Sequence, residues 1–232
     1  MSESGGFSEN GTALSRKGRA SGYGAWAAAC QALILACAVV TSPAMAQPLR
    51  ILALGDSLTA GFGLGPGQGF VPQLQKALNE KGIQAEVLDG GVSGDTTAGG
   101  LSRLDWALAD KPDLVILELG ANDMLRGTDP EETRANLDAM LAKLKAAKAR
   151  VLLAGMRAAP SLGADYALAF EAIYRDLAAK YDVPLYSFFL EGVAADPKLN
   201  QPDGLHPNEA GVAEIVRRIL PHVLAAAGMA RS

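Results

Sequence analysis

Five short apolar runs alternate with longer stretches of helical periodicity along this chain, and that alternation leaves few folds open to it. The runs lie at Ile51 to Leu54, Ala85 to Asp89, Leu114 to Leu119, Arg150 to Gly155 and Val183 to Ser187. Between them, Phe70 to Lys81 places Phe70, Val71, Leu74, Ala77 and Leu78 on one helical face before Gly82 ends it. Helical spacing returns through Leu101, Leu104 and Leu108, from Pro130 and Glu131 to about Lys148, through Tyr166, Phe170, Ile173, Tyr174 and Leu177, and from Glu209 to about Ala227. Strands joined by helices through short links pair in parallel, and a parallel sheet needs helices on both faces. The expected fold is therefore α/β, a three-layer α/β/α sandwich on a five-stranded parallel sheet, with no internal repeat or interior linker.

The first 46 residues read differently. Arg16, Lys17 and Arg19 form a basic segment, Ala25 to Val40 is uncharged and mostly apolar, and Ala44-Met45-Ala46 is a small-x-small cleavage site. Residues 1–46 are expected to be a secretory signal peptide cut after Ala46, leaving 47–232 as the mature domain in the periplasm or outside the cell. The apolar run is short for a membrane span and ends in Thr-Ser-Pro, so no stable membrane anchor is expected. Both cysteines, Cys30 and Cys37, fall in this leader. The mature chain would then have no thiol for a disulfide, a nucleophile or a metal. A net charge of −4 and 20% charged residues argue against nucleic acid as a partner. Gly61 to Gly69 carries five glycines and a proline, so it must be loop. It lacks the Gly-Lys-Ser/Thr ending of a phosphate-binding loop and reads instead as a flexible wall of a substrate cleft.

Polar residues sit where the strands end. Ser57 follows the first strand at Gly55-Asp56, Gly94 follows the second just ahead of the helix-capping candidates Asp95, Thr96 and Thr97, and Asn122 follows the third. All carboxyl ends of a parallel sheet share one rim, so the three can converge despite their separation in sequence. Asp203-Gly-Leu-His206-Pro-Asn208 joins the same rim before the last helix. A serine becomes nucleophilic at neutral pH only beside a base, and of the two histidines, His222 reads as a surface residue of the last helix. His206 is left as the base. Gly204 lets the chain turn so that Asp203 can accept the Nδ1–H of His206, and Pro207 keeps His206 out of the α region while suiting the first helical position.

Together these blocks resemble the SGNH, or GDSL, hydrolase family: Gly55-Asp-Ser-Leu58, the glycine of Ser93-Gly-Asp-Thr96, Gly120-Ala-Asn-Asp123 and Asp203-x-x-His206, in that order across nearly the whole mature chain. The resemblance implies a flavodoxin-like fold with Ser57 as nucleophile, His206 as base and Asp203 as its orienter. It also implies an oxyanion hole from the amides of Ser57 and Gly94 and the side chain of Asn122. Within the family, Leu119-Gly-Ala-Asn-Asp-Met-Leu-Arg-Gly127 and the other blocks are similar to bacterial periplasmic acyl-CoA thioesterases that are also lysophospholipases and arylesterases. The activity so implied is hydrolysis of acyl esters and thioesters without metal or cofactor, by a monomer or weak dimer. Phe62, Leu64, Met124, Leu125 and Leu162 lie on the cleft-side loops as candidates to line an acyl chain or aromatic ring. Two other readings share the fold: a carbohydrate O-acetylesterase, and a non-catalytic protein binding flavin or another small ligand.

Overall fold

A computed structural model describes residues 47–229. The expected leader lies outside them. The sheet is built from β1 (Leu49–Gly55), β2 (Ala85–Gly91), β3 (Leu114–Glu118), β4 (Arg150–Ala154) and β5 (Leu185–Tyr186) in the order β2-β1-β3-β4-β5, all parallel. This is the flavodoxin-like order. β3 lies at the centre between β1 and β4 and is buried along its whole length, which is why Leu114-Val-Ile-Leu reads as an unbroken apolar run rather than an alternating one. β5 is shorter than the run Val183 to Ser187 suggested. Pro184 has no N–H to give a ladder, and the strand survives only as an edge, its neighbourhood still tied to β4 by Leu153 N–H to Pro184 O at 3.0 Å.

Seven helices among the described residues complete the layers: α1 (Ser57–Ala60), α2 (Phe70–Glu80), α3 (Thr97–Ala107), α4 (Ala121–Leu125), α5 (Pro130–Ala146), α6 (Ala164–Tyr181) and α7 (Glu209–Ala226). α2 packs with α7, while α3, α5 and α6 form a second group. Phe70, Leu74 and Leu78 recur at four-residue spacing on α2 and are fully buried, as are Val212, Ile215, Ile219 and Val223 on α7. Leu104, Leu137, Met140, Leu144, Phe170, Ile173 and Tyr174 supply the core of the other group. α5 shows how local sequence fixes an end: Asp129 accepts the Glu131 N–H at 2.9 Å, Pro130 takes the first turn, and Glu131 and Glu132 sit there while Lys143 and Lys145 sit in the last turn, which suits the helix dipole. No helix among the described residues is long and apolar enough to cross a membrane.

Two short helices, α1 and α4, stand where the sequence suggested only strand ends and loops. Each carries a site residue on its first turn. α1 packs against β2, and a Cβ added at Gly91 would overlap the backbone of Ala60. Gly91→Ala is therefore expected to push α1 away from the sheet at a cost of about 1–3 kcal/mol. Chemical denaturation should show that loss; unchanged stability would mean that α1 has room to spare.

Candidate active site

Ser57 begins α1, where Asp56 caps the helix by accepting the Leu58 N–H at 3.0 Å on Oδ1. Its hydroxyl oxygen lies 2.9 Å from Nε2 of His206, 149 residues away in sequence. On the other edge of that ring, Nδ1 lies 2.6 Å from Oδ2 of Asp203. The second oxygen of Asp203 accepts the backbone N–H groups of Leu205 at 2.9 Å and His206 at 3.0 Å, closing a tight turn in which Gly204 takes a φ of 69°. The His206 backbone N–H, the His206 ring and the Leu205 N–H together hold the Asp203 carboxyl down to about 2. An ionised Asp203 places the proton on Nδ1 and leaves Nε2 free to accept from the Ser57 hydroxyl.

The loop carrying His206 is held from behind. Gln201 N–H donates to His206 O at 2.7 Å, and Pro207 forms an isolated antiparallel bridge with Asn200. Pro207 thus lies in this bridge, two residues before the helix. Asn208 caps α7 through its side chain, which accepts the Gly211 N–H at 3.0 Å, and the helix begins at Glu209. His222 is exposed on α7, its ring 5.0 Å from that of Tyr186.

Gly94 and Asn122 flank Ser57 from the two neighbouring strands. Gly94 is exposed in the turn before α3, with a φ of 84° that favours glycine. Among the described residues, neither its N–H nor that of Ser57 donates to a protein acceptor. Asn122 lies in the first turn of α4, and its Nδ2 donates to Asp56 Oδ2 at 3.0 Å and to Asp95 O at 2.9 Å. Both amide hydrogens therefore have protein partners here. Three charged residues that sequence reasoning missed hold these turns. Arg103 pairs with Asp95 at 2.6 Å and donates to Gly55 O at 2.9 Å, tying the Gly94 turn to the end of β1. Arg126 donates to Gly94 O at 2.9 Å. Asp123, buried, accepts the Thr97 N–H at 2.8 Å and the Thr97 hydroxyl at 2.5 Å, joining the starts of α3 and α4.

Beneath Ser57 lies a pair of buried carboxyls, also unforeseen. Glu118 ends β3, fully enclosed, with Oε2 accepting the Thr59 hydroxyl at 2.7 Å and the Asp56 N–H at 3.4 Å, and with Oε1 unpartnered. Burial, and then the neighbouring charge of Asp56, push Glu118 well above the ordinary carboxylate range. Asp56 is raised to about 6 by its own burial, against the opposing hydrogen bonds from Leu58 and Asn122. Of the two, Asp56 has the amide donors that suit an anion, so the trapped proton belongs on Glu118. Gly55 is glycine for a related reason: a Cβ there would overlap Thr59 Oγ1 and Glu118 Oε2.

The proposed lining residues are less uniform than the sequence suggested. Phe62 is half exposed and its ring centroid is 4.7 Å from that of His206. Leu125 is also half exposed, whereas Leu64 and Met124 are partly buried against the core, and Leu162 closes a 3-10 turn, Pro160–Leu162, after β4. The glycine-rich loop is cross-braced rather than free: Gln68 donates to Glu209 at 3.0 Å, Gln73 to Gln68 O at 2.7 Å, and Gln201 to Phe62 O at 2.7 Å. The hollows between α2 and α7, about 550 Å³, and beside the start of β4, about 360 Å³, are lined by none of Ser57, Asp203 and His206. The three meet at the carboxyl-terminal rim of the sheet. Among the described residues, no group of three or more His, Cys, Asp or Glu side chains is arranged to hold a metal ion.

Residues 53–213 match the GDSL-like Lipase/Acylhydrolase family. The chain belongs to this family. It is accordingly an ester hydrolase on the SGNH fold. Its relatives include Esterase TesA of Pseudomonas aeruginosa, 42% identical over 83% of this chain and 93% of that protein. Thioesterase 1/protease 1/lysophospholipase L1 of Escherichia coli is 41% identical over 68% of this chain and 75% of its own length. Among solved structures, AlinE4, an SGNH-hydrolase family esterase, superposes with a TM-score of 0.67 at 49% identity, covering 78% of this chain and 98% of that one.

The trapped proton has a measurable consequence. A carboxyl whose folded pKa is raised stabilises the fold fully below its unfolded pKa, and that contribution is lost as pH rises through the folded value. For Asp56 the loss runs from about pH 4 to about 6, and for Glu118 it continues above that. Between pH 5 and 10 the wild-type protein should lose more stability than Glu118→Gln. The slopes should differ by up to about 1.4 kcal/mol per pH unit, the value for one proton. Superimposable denaturation curves would place no trapped proton on Glu118.

Proposed function

We propose that this hydrolase cleaves acyl esters and thioesters by a Ser-His-Asp mechanism with an acyl-enzyme intermediate. The observation that carries the reading is the unbroken chain of contacts from Ser57 Oγ through the His206 ring to Asp203. His206 removes the hydroxyl proton as Ser57 attacks the carbonyl carbon, and Asp203 holds the imidazole in the required tautomer and steadies the imidazolium. The N–H groups of Ser57 and Gly94 receive the oxyanion, and Asn122 adds a third donor by turning one amide hydrogen away from Asp95 O. Water then attacks the acyl-enzyme with His206 again as base.

The substrate class follows from the surroundings of the rim. The half-exposed apolar ring of Phe62 beside His206 suits acyl and aryl esters. The names of the relatives, esterase and thioesterase/lysophospholipase, point the same way. A carbohydrate O-acetylesterase would require polar sugar contacts, and the half-exposed candidates Phe62 and Leu125 supply none. Flavin binding has no support in a chain of this hydrolase family.

Ser57→Ala should lower kcat on p-nitrophenyl butyrate by at least about 10⁴-fold with the circular dichroism spectrum unchanged, and Asp203→Asn by about 10³- to 10⁴-fold. Retained activity in Ser57→Ala would end the triad reading. Parallel series of p-nitrophenyl esters, acyl-CoA thioesters and lysophospholipids would rank the substrate types.

Residues 1–46, by their basic start, apolar middle and Ala44-Met45-Ala46, are proposed to export the enzyme to the periplasm or beyond. Mass spectrometry of exported protein should find Gln47 at the amino terminus. An intact Met1 on the exported enzyme would refute cleavage.

A further inference from the structure

Phe62 leaves half of its side chain in solvent while its backbone is fixed from both sides. Its N–H donates to Ser57 O at 3.0 Å, its carbonyl accepts from Gln201 Nε2 at 2.7 Å, and the Gln201 N–H in turn donates to His206 O at 2.7 Å. Three hydrogen bonds thus tie the Phe62 backbone to the residue bearing the hydroxyl and, through Gln201, to the residue bearing the imidazole. The turn needed for this is left-handed at Gly61 and Gly63, with φ of 72° and 75°, and a Cβ at Gly63 would overlap Gln201 Oε1. This bracing fixes the backbone from which the ring projects. It gives an exposed aromatic face a set position, 4.7 Å from the His206 ring.

The chemistry of acyl transfer says what meets that face. This step rests on the Ser-His-Asp reading proposed above. When the tetrahedral adduct on Ser57 collapses, the bond from the carbonyl carbon to the leaving oxygen or sulfur breaks and its electron pair stays on that atom. The imidazolium gives its Nε2 proton to the same atom, leaving a neutral alcohol, phenol or thiol and the acyl-serine. The leaving atom must therefore lie within hydrogen-bond reach of His206 Nε2. Whatever it carries extends along the surface beside that ring, where Phe62 stands. The acyl chain occupies another direction from the carbonyl carbon, since the oxygen is turned toward Ser57 and Gly94.

We infer that Phe62, held by Gln201, forms a leaving-group subsite that favours flat aromatic alcohol or thiol portions, separate from the surface that receives the acyl chain. An aromatic leaving group can stack on the phenyl face, whereas a short alkyl group covers little of it.

Two matched series measured on the full chain test this. One holds the acyl group at butyrate and compares phenyl and 2-naphthyl esters with ethyl and propyl esters. The other holds p-nitrophenol as leaving group and varies the acyl chain from acetate to decanoate. Phe62→Leu should lower the aryl-to-alkyl ratio of kcat/KM by about tenfold, Phe62→Tyr should preserve that ratio, and neither should move the acyl-chain optimum. If Phe62→Leu instead shifts the acyl-chain optimum and leaves the aryl-to-alkyl ratio within about twofold, the ring belongs to the acyl side and the inference is wrong. A Ser57→Ala control separates the two levels. Full activity in that control would bring down the triad and the subsite together, while an inactive control with an unchanged ratio in Phe62→Leu would bring down the subsite alone.

Discussion

The contact between the Ser57 hydroxyl and the His206 ring sets the terms for the rest of the molecule. A proton passes usefully between two such groups only within hydrogen-bond distance, and here the pair comes from opposite ends of the domain, 149 residues apart. Neither partner is on a long rigid element. Ser57 opens a four-residue helix, and His206 lies on a turn before α7. Their separation therefore depends on bracing between loops: Phe62 to Ser57, Gln201 to Phe62 and to His206, and Asn200 to Pro207. A slack loop at any of these points would cost alignment, and misplacement of about 1 Å can cost about two orders of magnitude in rate.

The same demand accounts for the buried acidic groups beneath the rim. An enclosed carboxyl is expensive, and one with an unpartnered oxygen more so. Glu118 and Asp56 are retained where the backbone of β1 turns into α1 at Ser57. Thr59 and the Asp56 N–H fasten that turn to β3, and Asp56 reaches across to Asn122. Keeping one proton between the two carboxyls avoids a second buried charge, so rigidity at Ser57 is obtained at the cost of a pH-dependent fold.

Much of this was legible beforehand, for definable reasons. Strand runs such as Leu114 to Leu117 announce a buried parallel sheet because both faces are apolar, and the glycine, serine, asparagine and histidine of the four blocks fall at chain positions that only a common rim brings together. The hydrogen-bond relays were not legible. Gln201 has no local pattern that marks it as the clamp on Phe62, and Arg103 acts on Gly55 and Asp95 through the folded packing of α3 alone. Glu118 did leave a sign, a lone acidic residue inside the apolar run Leu114 to Leu119, since a charge on a strand buried on both faces must answer to something nearby. The α1 and α4 helices escaped notice because four or five residues are too few to show a period.

Topology explains why this particular set of residues meets. In the order β2-β1-β3, the strand leading into Ser57 has one neighbour on each side, so the loops after β2 and β3 deliver Gly94 and Asn122 to its two flanks without any long excursion. His206 cannot come from that sheet neighbourhood, because both flanks are taken. It comes by way of the helices: α2 follows the glycine-rich loop, α7 follows the His206 turn, and the two helices pack together. Their docking brings the two loops side by side, which is the condition for Gln201 to reach Phe62. The glycine-rich loop is therefore the joint at which the sheet-borne half of the site meets the helix-borne half, and its glycines are spent on that close approach.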